Sequence, residues 1–284
     1  YEVVIRSALK QGALTYGDLL LKGKSEEEVL FSTYICHPSM ANNELSGPLV
    51  TAFLYRLIAA LPDRKYTYRF VFAPETIGVI TYLHQYGEQL KKNLKAGYVV
   101  TCAGDDGPFT YKKSRWGDSL TDRVTERVLR QKAPGKYKII PFAIGGSDER
   151  QYCSPGFNLP VGSLMRTMYK AFPQYHTSLD NKSFISFPAM EETVNMYGEM
   201  AKAIEDSVFP VGVVQYGEPF LSARQLYNEQ GGNKILPGEI FNILHLLNYA
   251  DGEHDLHTIS ELKGVDINEL AALIPKLKEA GLLR

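Results

Sequence analysis

The chain has 284 residues, 44% hydrophobic and 22% charged, and its 31 Lys and Arg against 32 Asp and Glu give a formal net charge of −1. This is the make-up of a globular protein with room for one large domain, or a medium domain and a small one. It excludes a chain whose bulk charge recruits a polyanion or an anionic membrane surface, and no apolar run approaches the roughly 18–20 residues that cross a bilayer.

In chain order, Glu2-Val3-Val4-Ile5, Ala13 to Leu21 and Glu28 to Ile35 read as strands separated by turns around Gly12 and Gly23. The opening residue is Tyr1 rather than Met, which points to an upstream segment of a longer protein. Gly47 to Ala60 is helical, with Leu49, Val50, Phe53, Leu54, Leu57 and Ile58 at spacings of three and four. Strands over Tyr66 to Phe72, Lys95 to Cys102, Tyr137 to Phe142 and Pro160 to Leu164 alternate with helices over Ile77 to Leu90, Leu120 to Gln131, from Asp148, and Pro188 to Ser207. Such alternation predicts an α/β domain over residues 1–210, with a mixed, largely parallel sheet flanked by helices. In such sheets ligands gather where strands end.

After residue 210 the pattern changes. A turn-rich connector and a loop at Asn228-Glu229-Gln230-Gly231-Gly232 precede three short helices: Pro237 to Tyr249, Thr258 to Leu262 and Asp266 to Ala280. The last opens on a capping-box spacing, Asp266 with Glu269, and Pro275 inside it predicts a kink. Residues 211–284 therefore look like a small winged-helix module. Three cysteines (Cys36, Cys102, Cys153) at wide, unrelated spacings predict buried reduced thiols, with metal ligation as the other reading of each, and a cytoplasmic protein.

The residues able to carry chemistry lie at the joins between elements. His37 follows a strand in Tyr34-Ile35-Cys36-His37-Pro38, and Asn42-Asn43-Glu44-Leu45-Ser46-Gly47 leads into a helix. A strand-end imidazole and a helix-start carboxylate can converge on one cation; alternatively Asn43 or Ser46 caps the helix. His176 stands beside Tyr175, whose hydroxyl can steady an oxyanion, and Asp180 can orient the imidazole through its second nitrogen. The other reading of that segment is a surface loop with a solvated histidine. Glu75, after the strand ending at Ala73, is a candidate general base or a helix-start acid favoured by the macrodipole. Asp148, Glu149 and Arg150 form either a substrate-terminus site or a capping cluster. Asp105 and Asp106 either bind metal or fill a turn. His84, on a helix between Tyr82 and Tyr86, reads as structural.

In this order the segments His37 to Gly47, Ala73 to Gly78, Gly146 to Tyr152 and Tyr175 to Asp180 resemble the zinc aminopeptidase-like exopeptidases, and most closely a bacterial subgroup with a winged-helix tail. The resemblance implies zinc at the strand ends, His37 and His176 as metal-binding histidines, Glu75 as general base and Tyr175 as oxyanion stabiliser. Three positions depart from the two-metal pattern. Asn43 followed by Glu44 stands for a bridging Asp followed by Asn, Thr76 for a second metal-binding Glu, and Thr101 for an acid on the next strand. The expectation is one zinc rather than two, held by His37, His176 and an acid, with Glu44 ahead of Asp106. Whether Asn43 or Glu44 faces the metal stays open. Zinc-activated water would attack an amide carbonyl of a peptide, an amidated sugar or an N-acyl small molecule.

Two other readings compete. One is a binding protein that keeps the fold without the catalysis, favoured by the lost carboxylates and opposed by the retention of His37, Glu75, Tyr175 and His176. The other is a DNA-binding regulator acting through the tail. Residues Tyr216 to Arg284 hold six Lys or Arg against ten Asp or Glu, a net −4. Nucleic-acid binding requires the opposite sign, so the tail reads as a packing or homo-oligomer element.

Overall fold

In the computed structural model, residues 1–224, 226 and 237–284 are described. The expected loop at 228–232 lies outside them. The chain forms two compact units, Tyr1–Glu205 and Asp206–Arg284.

The first unit is built on a seven-stranded mixed sheet. Its strands are β1 (Gly17–Leu21), β2 (Glu28–Tyr34), β3 (Thr67–Ala73), β4 (Leu94–Val100), β5 (Phe109–Lys112), β6 (Tyr137–Ile140) and β7 (Val161–Met165). They lie in the order β1-β3-β2-β4-β7-β5-β6. β3, β2, β4 and β7 run parallel, with antiparallel β1 on one side and β5 antiparallel to β7 on the other. Every residue of β2 is buried, as the apolar run Val29-Leu30-Phe31 requires of a strand covered on both faces. The period of two sends Phe31 to one face, where its ring meets Tyr68, Phe70, Tyr98 and Tyr197. Leu30 goes to the other, into a core with Val71, Val79, Tyr82, Val99 and Val161.

The first face carries α1 (Ser46–Ala59), α3 (Leu120–Lys132) and α5 (Phe187–Glu205). The second carries α2 (Ile77–Asn93) and the single-turn α4 (Glu149–Tyr152). From β2 the chain crosses to β3 on one side, and from β4 it moves off the other way. The order reverses between β2 and β4, the kind of switch point where α/β sheets open a crevice at the carboxyl ends of their strands.

Several boundaries differ from the expected ones. Residues 1–16 form no strand, and Val3, Val4 and Ile5 are exposed; an apolar run becomes a strand only where a sheet edge accepts it. β5 was not legible, because the three residues Phe109-Thr110-Tyr111 between Gly107-Pro108 and two lysines are too few to show a period. Pairing to β6 and β7 makes it. α1 is preceded by a π-helical turn over Ala41–Leu45. Gly47 lets this start lie close to the sheet, since a Cβ there would stand 2.5 Å from Thr33 Oγ1 and Val100 O.

The second unit holds α6 (Pro237–Asn248), α7 (Leu256–Lys263) and α8 (Ile267–Glu279), with bridges Val211–Asp251 and Gly212–Leu283. Its own core includes Leu221, Ile243, Leu246, Ile259, Leu270 and Leu277. Asp255 caps α7 by accepting the Thr258 N–H, and Gly264 ends it in the left-handed region. The capping box expected for α8 is not made. Asp266 accepts the Asn268 N–H, while the Glu269 carboxylate accepts the Asn242 amide of α6. α8 runs through Pro275. Among the described residues no helix is long and apolar enough to cross a membrane.

Candidate active site

The carboxyl ends of the parallel strands bring the separated segments together. β2 delivers Tyr34, then Cys36 and His37; β3 delivers Glu75; β4 delivers Thr101 and Cys102; and the stretch after β7 returns as a turn carrying Tyr175 and His176. His37 stands at the centre. Its Nδ1 lies 3.4 Å from Glu44 Oε2, and its Nε2 lies 3.6 Å from Glu75 Oε2. Its ring centroid is 5.1 Å from that of Tyr34 and 5.4 Å from that of His176. His176 is exposed and stacks on half-buried Tyr175, with ring centroids 3.9 Å apart. A cleft of about 440 Å³ opens beside His37, lined also by Met40, Glu44, Pro48 and Lys182.

Left-handed backbone at non-glycine residues gathers here: Ser39 (φ 72°), Thr76 (φ 62°), Cys102 (φ 45°) and His176 (φ 56°). Such conformations cost about 1–3 kcal/mol each and persist where surrounding contacts impose them. At Thr76 those contacts are visible. Its N–H donates to Asp148 Oδ1 at 2.7 Å and its hydroxyl accepts from Arg150 Nη2 at 3.2 Å. The preceding N–H, of Glu75, donates to Cys36 Sγ at 3.1 Å. The peptide on each side of Glu75 is therefore tethered.

The protonation landscape follows burial. Burial pushes the Glu44 carboxyl up to about 7, with the Glu75 charge adding to it and the Cys36 N–H opposing. It pushes Asp148 up to about 8 against the Thr76 N–H bond. It also raises the Tyr175 hydroxyl and lowers the His37 imidazole, in the latter against the pull of Glu75. Of these, His37 and Glu44 line the cleft, and displaced acids and bases in a cleft are characteristic of chemically active sites.

Several buried polar atoms near the site have no hydrogen-bond partner among the described residues: Asn43 Nδ2, Glu44 Oε2, Ser147 Oγ, Glu149 Oε2 and Arg150 Nε. The Asn43 oxygen accepts from the Tyr34 hydroxyl at 3.3 Å and the Cys102 thiol at 3.8 Å. Of the adjacent pair it is thus Glu44 whose side chain faces His37. Glu149 is held by Lys112 at 2.6 Å in a fully buried ion pair.

Four expectations need correction. Asp180 does not orient His176. Its carboxylate accepts the N–H groups of Asn42 (2.6 Å) and Asn43 (2.9 Å), capping the turn that carries Glu44. Neither Asn43 nor Ser46 is that cap; Ser46 donates to the Asn42 carbonyl. Asp106 is exposed and lines a separate cleft with Lys132, Lys136 and Arg166, because the β4–β5 turn directs it away from the strand ends. Its neighbour Asp105 is buried and engaged by Asn42, Gly107 and Thr167. Cys36 is exposed, not buried, although Cys102 and Cys153 are buried. His84 is also exposed. The sequence does not mark Tyr34 as a site residue, and marks Cys36 only as one of three thiols for which metal ligation is the alternative reading. The only further signal was their place on the strand that ends at His37.

Comparison with known proteins agrees with the architecture. A Clostridium acetobutylicum protein, described as a candidate polysaccharide biosynthesis protein with an aminopeptidase-like domain, is 40% identical over all 284 residues, which span 64% of that protein. The crystal structure of a candidate peptidase from the same organism matches 95% of this chain and 60% of its own, at 37% identity and a TM-score of 0.71. A zinc aminopeptidase of Bacillus subtilis shares the fold over 66% of this chain and 49% of its own, at 15% identity and a TM-score of 0.57. The chain thus spans less than two thirds of the first two relatives. Residues 209–284 match the winged helix-turn-helix model. Residues 5–207 match the model of a domain of unknown function, DUF4910, and the chain belongs to that family, on an aminopeptidase-like fold.

Proposed function

We propose that the chain is a metal-dependent hydrolase of the aminopeptidase type, cleaving an amide or N-terminal peptide bond. The observation that carries this reading is the convergence on His37 of Glu44, Glu75 and the Tyr175–His176 pair, from segments up to 139 residues apart. The donor set suits zinc. It combines imidazole nitrogen and carboxylate oxygen, and the buried Glu44 Oε2 lacks a hydrogen-bond donor. His37, Glu44 and His176 would hold one ion, whereas the neutral, hydrogen-bonded Asn43 and the distant Asp106 would not. Zinc there would supply Lewis acidity and acidify water near neutral pH.

The other roles fall to the chain's own groups. Glu75, fixed through the tethered peptides on either side, takes a proton from the attacking water and returns it to the leaving amine. The Tyr175 hydroxyl, kept protonated by burial, donates to the oxyanion. Arg150 can engage a negatively charged end of the substrate, while Asp148, buried and bonded to the Thr76 N–H, holds the turn beside Glu75. Glu149 is committed mainly to Lys112. The polysaccharide biosynthesis description of the C. acetobutylicum relative supports including N-acyl sugar amides with aminoacyl and peptide substrates.

Hydrolysis of an aminoacyl and N-acyl amide panel tests the proposal. Activity should vanish with chelator and return with zinc. Glu75→Gln should lower kcat by about 10²–10⁴-fold while the circular dichroism spectrum is kept. Unchanged turnover in Glu75→Gln would remove the assigned base. A second reading, a fold-retaining binding protein, is favoured by the neutral Asn43, Thr76 and Thr101; it predicts that these amides bind and none is cleaved.

A further inference from the structure

Cys36 enters the scheme above only as a tether for the Glu75 backbone, yet its sulfur belongs to a group of three potential metal-binding side chains, Cys36, His37 and Glu44. Cys36 Sγ lies 3.3 Å from His37 Nδ1, Glu44 Oε2 lies 3.4 Å from the same nitrogen, and ligand atoms of the three residues all fall within 4.8 Å of one another. Tetrahedral zinc, with sulfur at about 2.3 Å and nitrogen or oxygen at about 2.0–2.2 Å, separates its donors by roughly 3.3–3.6 Å. Hydrogen bonding alone does not account for this arrangement. Nδ1 either donates one proton or accepts one, so its hydrogen bond with the Cys36 sulfur leaves it unavailable to Glu44. The 3.4 Å Glu44 contact exceeds a good hydrogen bond, and Glu44 Oε2 is buried with no other donor. A cation between the three would satisfy all of them. The alternative thiol, Cys102, is directed at Thr101 and Asn43.

We propose that Cys36 is a metal ligand, adding a thiolate to the His37 and Glu44 donors of the same single ion that His176 would help to hold, a site for a borderline-soft divalent ion such as zinc. This deepens, and rests on, the reading of the chain as metal-dependent. As the sulfur–metal bond forms, the thiol proton passes to solvent and nothing is oxidised or reduced. A soft donor selects zinc over magnesium, calcium or manganese. Because Cys36 Sγ also accepts the Glu75 N–H, the same atom would tie the ion to the backbone of the proposed base.

The test is titration of the metal-free full chain with cobalt(II), a spectroscopic stand-in for zinc. Wild type should bind one equivalent and show a near-ultraviolet thiolate-to-cobalt charge-transfer band that zinc abolishes by displacement. That band should be lost in Cys36→Ser and kept in Cys153→Ser. Serine retains an acceptor for the Glu75 N–H, and circular dichroism checks that the variant folds. Zinc protection of Cys36 against iodoacetamide in wild type gives a readout independent of any variant. Cobalt bound without the band, or a band that survives Cys36→Ser, would overturn Cys36 as a ligand and leave the metal-dependent reading standing. Failure of wild type to bind cobalt or zinc would overturn both.

Discussion

Burial raises Asp148 from an ordinary value of 3.8 to about 8, and this has a consequence for stability. Between those values the folded chain holds a proton that the unfolded chain has released, so stability is greatest at low pH and falls as pH rises through the window. Glu44, raised to about 7, acts with the same sign. Denaturation in urea from pH 5 to pH 8 should therefore show declining stability in wild type and a shallower decline in Asp148→Asn, which keeps an acceptor for the Thr76 N–H. Equal slopes in the two proteins would refute the assignment. His37 and Glu75 were legible because each directly follows an apolar strand, a signal contained in a few neighbouring residues. The places of Tyr34 and Cys36 in the site were not. Tyr34 acquires its place through Thr101, 67 residues on, and Cys36 acquires its place through the Glu75 N–H and the His37 ring. No local spacing encodes either contact.

The turn Ala41–Leu45 sets the direction of Glu44, and Asp180 holds that turn from 137 and 138 residues away. Removing a fully buried carboxylate leaves two backbone donors without partners, at roughly 1–3 kcal/mol each. Asp180→Ala should thus lower unfolding stability by about the sum of the two, and Asp180→Asn by less, as measured in guanidinium. A loss near zero would mean that the turn does not depend on the cap. The same contact explains what the sequence concealed. Helices such as α2 and α3 carry their 3.6-residue period in their own residues and were readable from it. The π-helical turn and the four-residue β5 are imposed by partners elsewhere in the chain. Arg69 of β3 shows tertiary imposition on a larger scale. It is buried among Glu28, Asp18 and Tyr82, a polar cluster inside strands whose alternation alone gave no hint of it.

At the scale of the molecule, residues 206–284 have their own hydrophobic core, helix caps and strand bridges. Expressed alone they should fold with helical circular dichroism and a cooperative melt; a non-cooperative melt would contradict that independence. The lysines that could serve nucleic-acid binding are partly engaged, Lys276 with Glu239 at 2.5 Å and Lys263 over the Tyr249 ring. Residues 216–284, at a net −4, lack the cationic surplus that nucleic-acid binding draws on. The α/β class and the helical tail were readable because hydrophobic period and turn residues recur over tens of positions. The strand order β1-β3-β2-β4-β7-β5-β6 was not, since pairing between distant strands leaves no mark in either one. The central claim is that His37, Glu44 and His176 hold a single zinc ion, and elemental analysis of protein purified without chelator tests it most directly. The account predicts about one zinc per chain in wild type and a marked loss in His176→Ala. Zinc absent even after it is added back, or retained in full by His176→Ala, would contradict it.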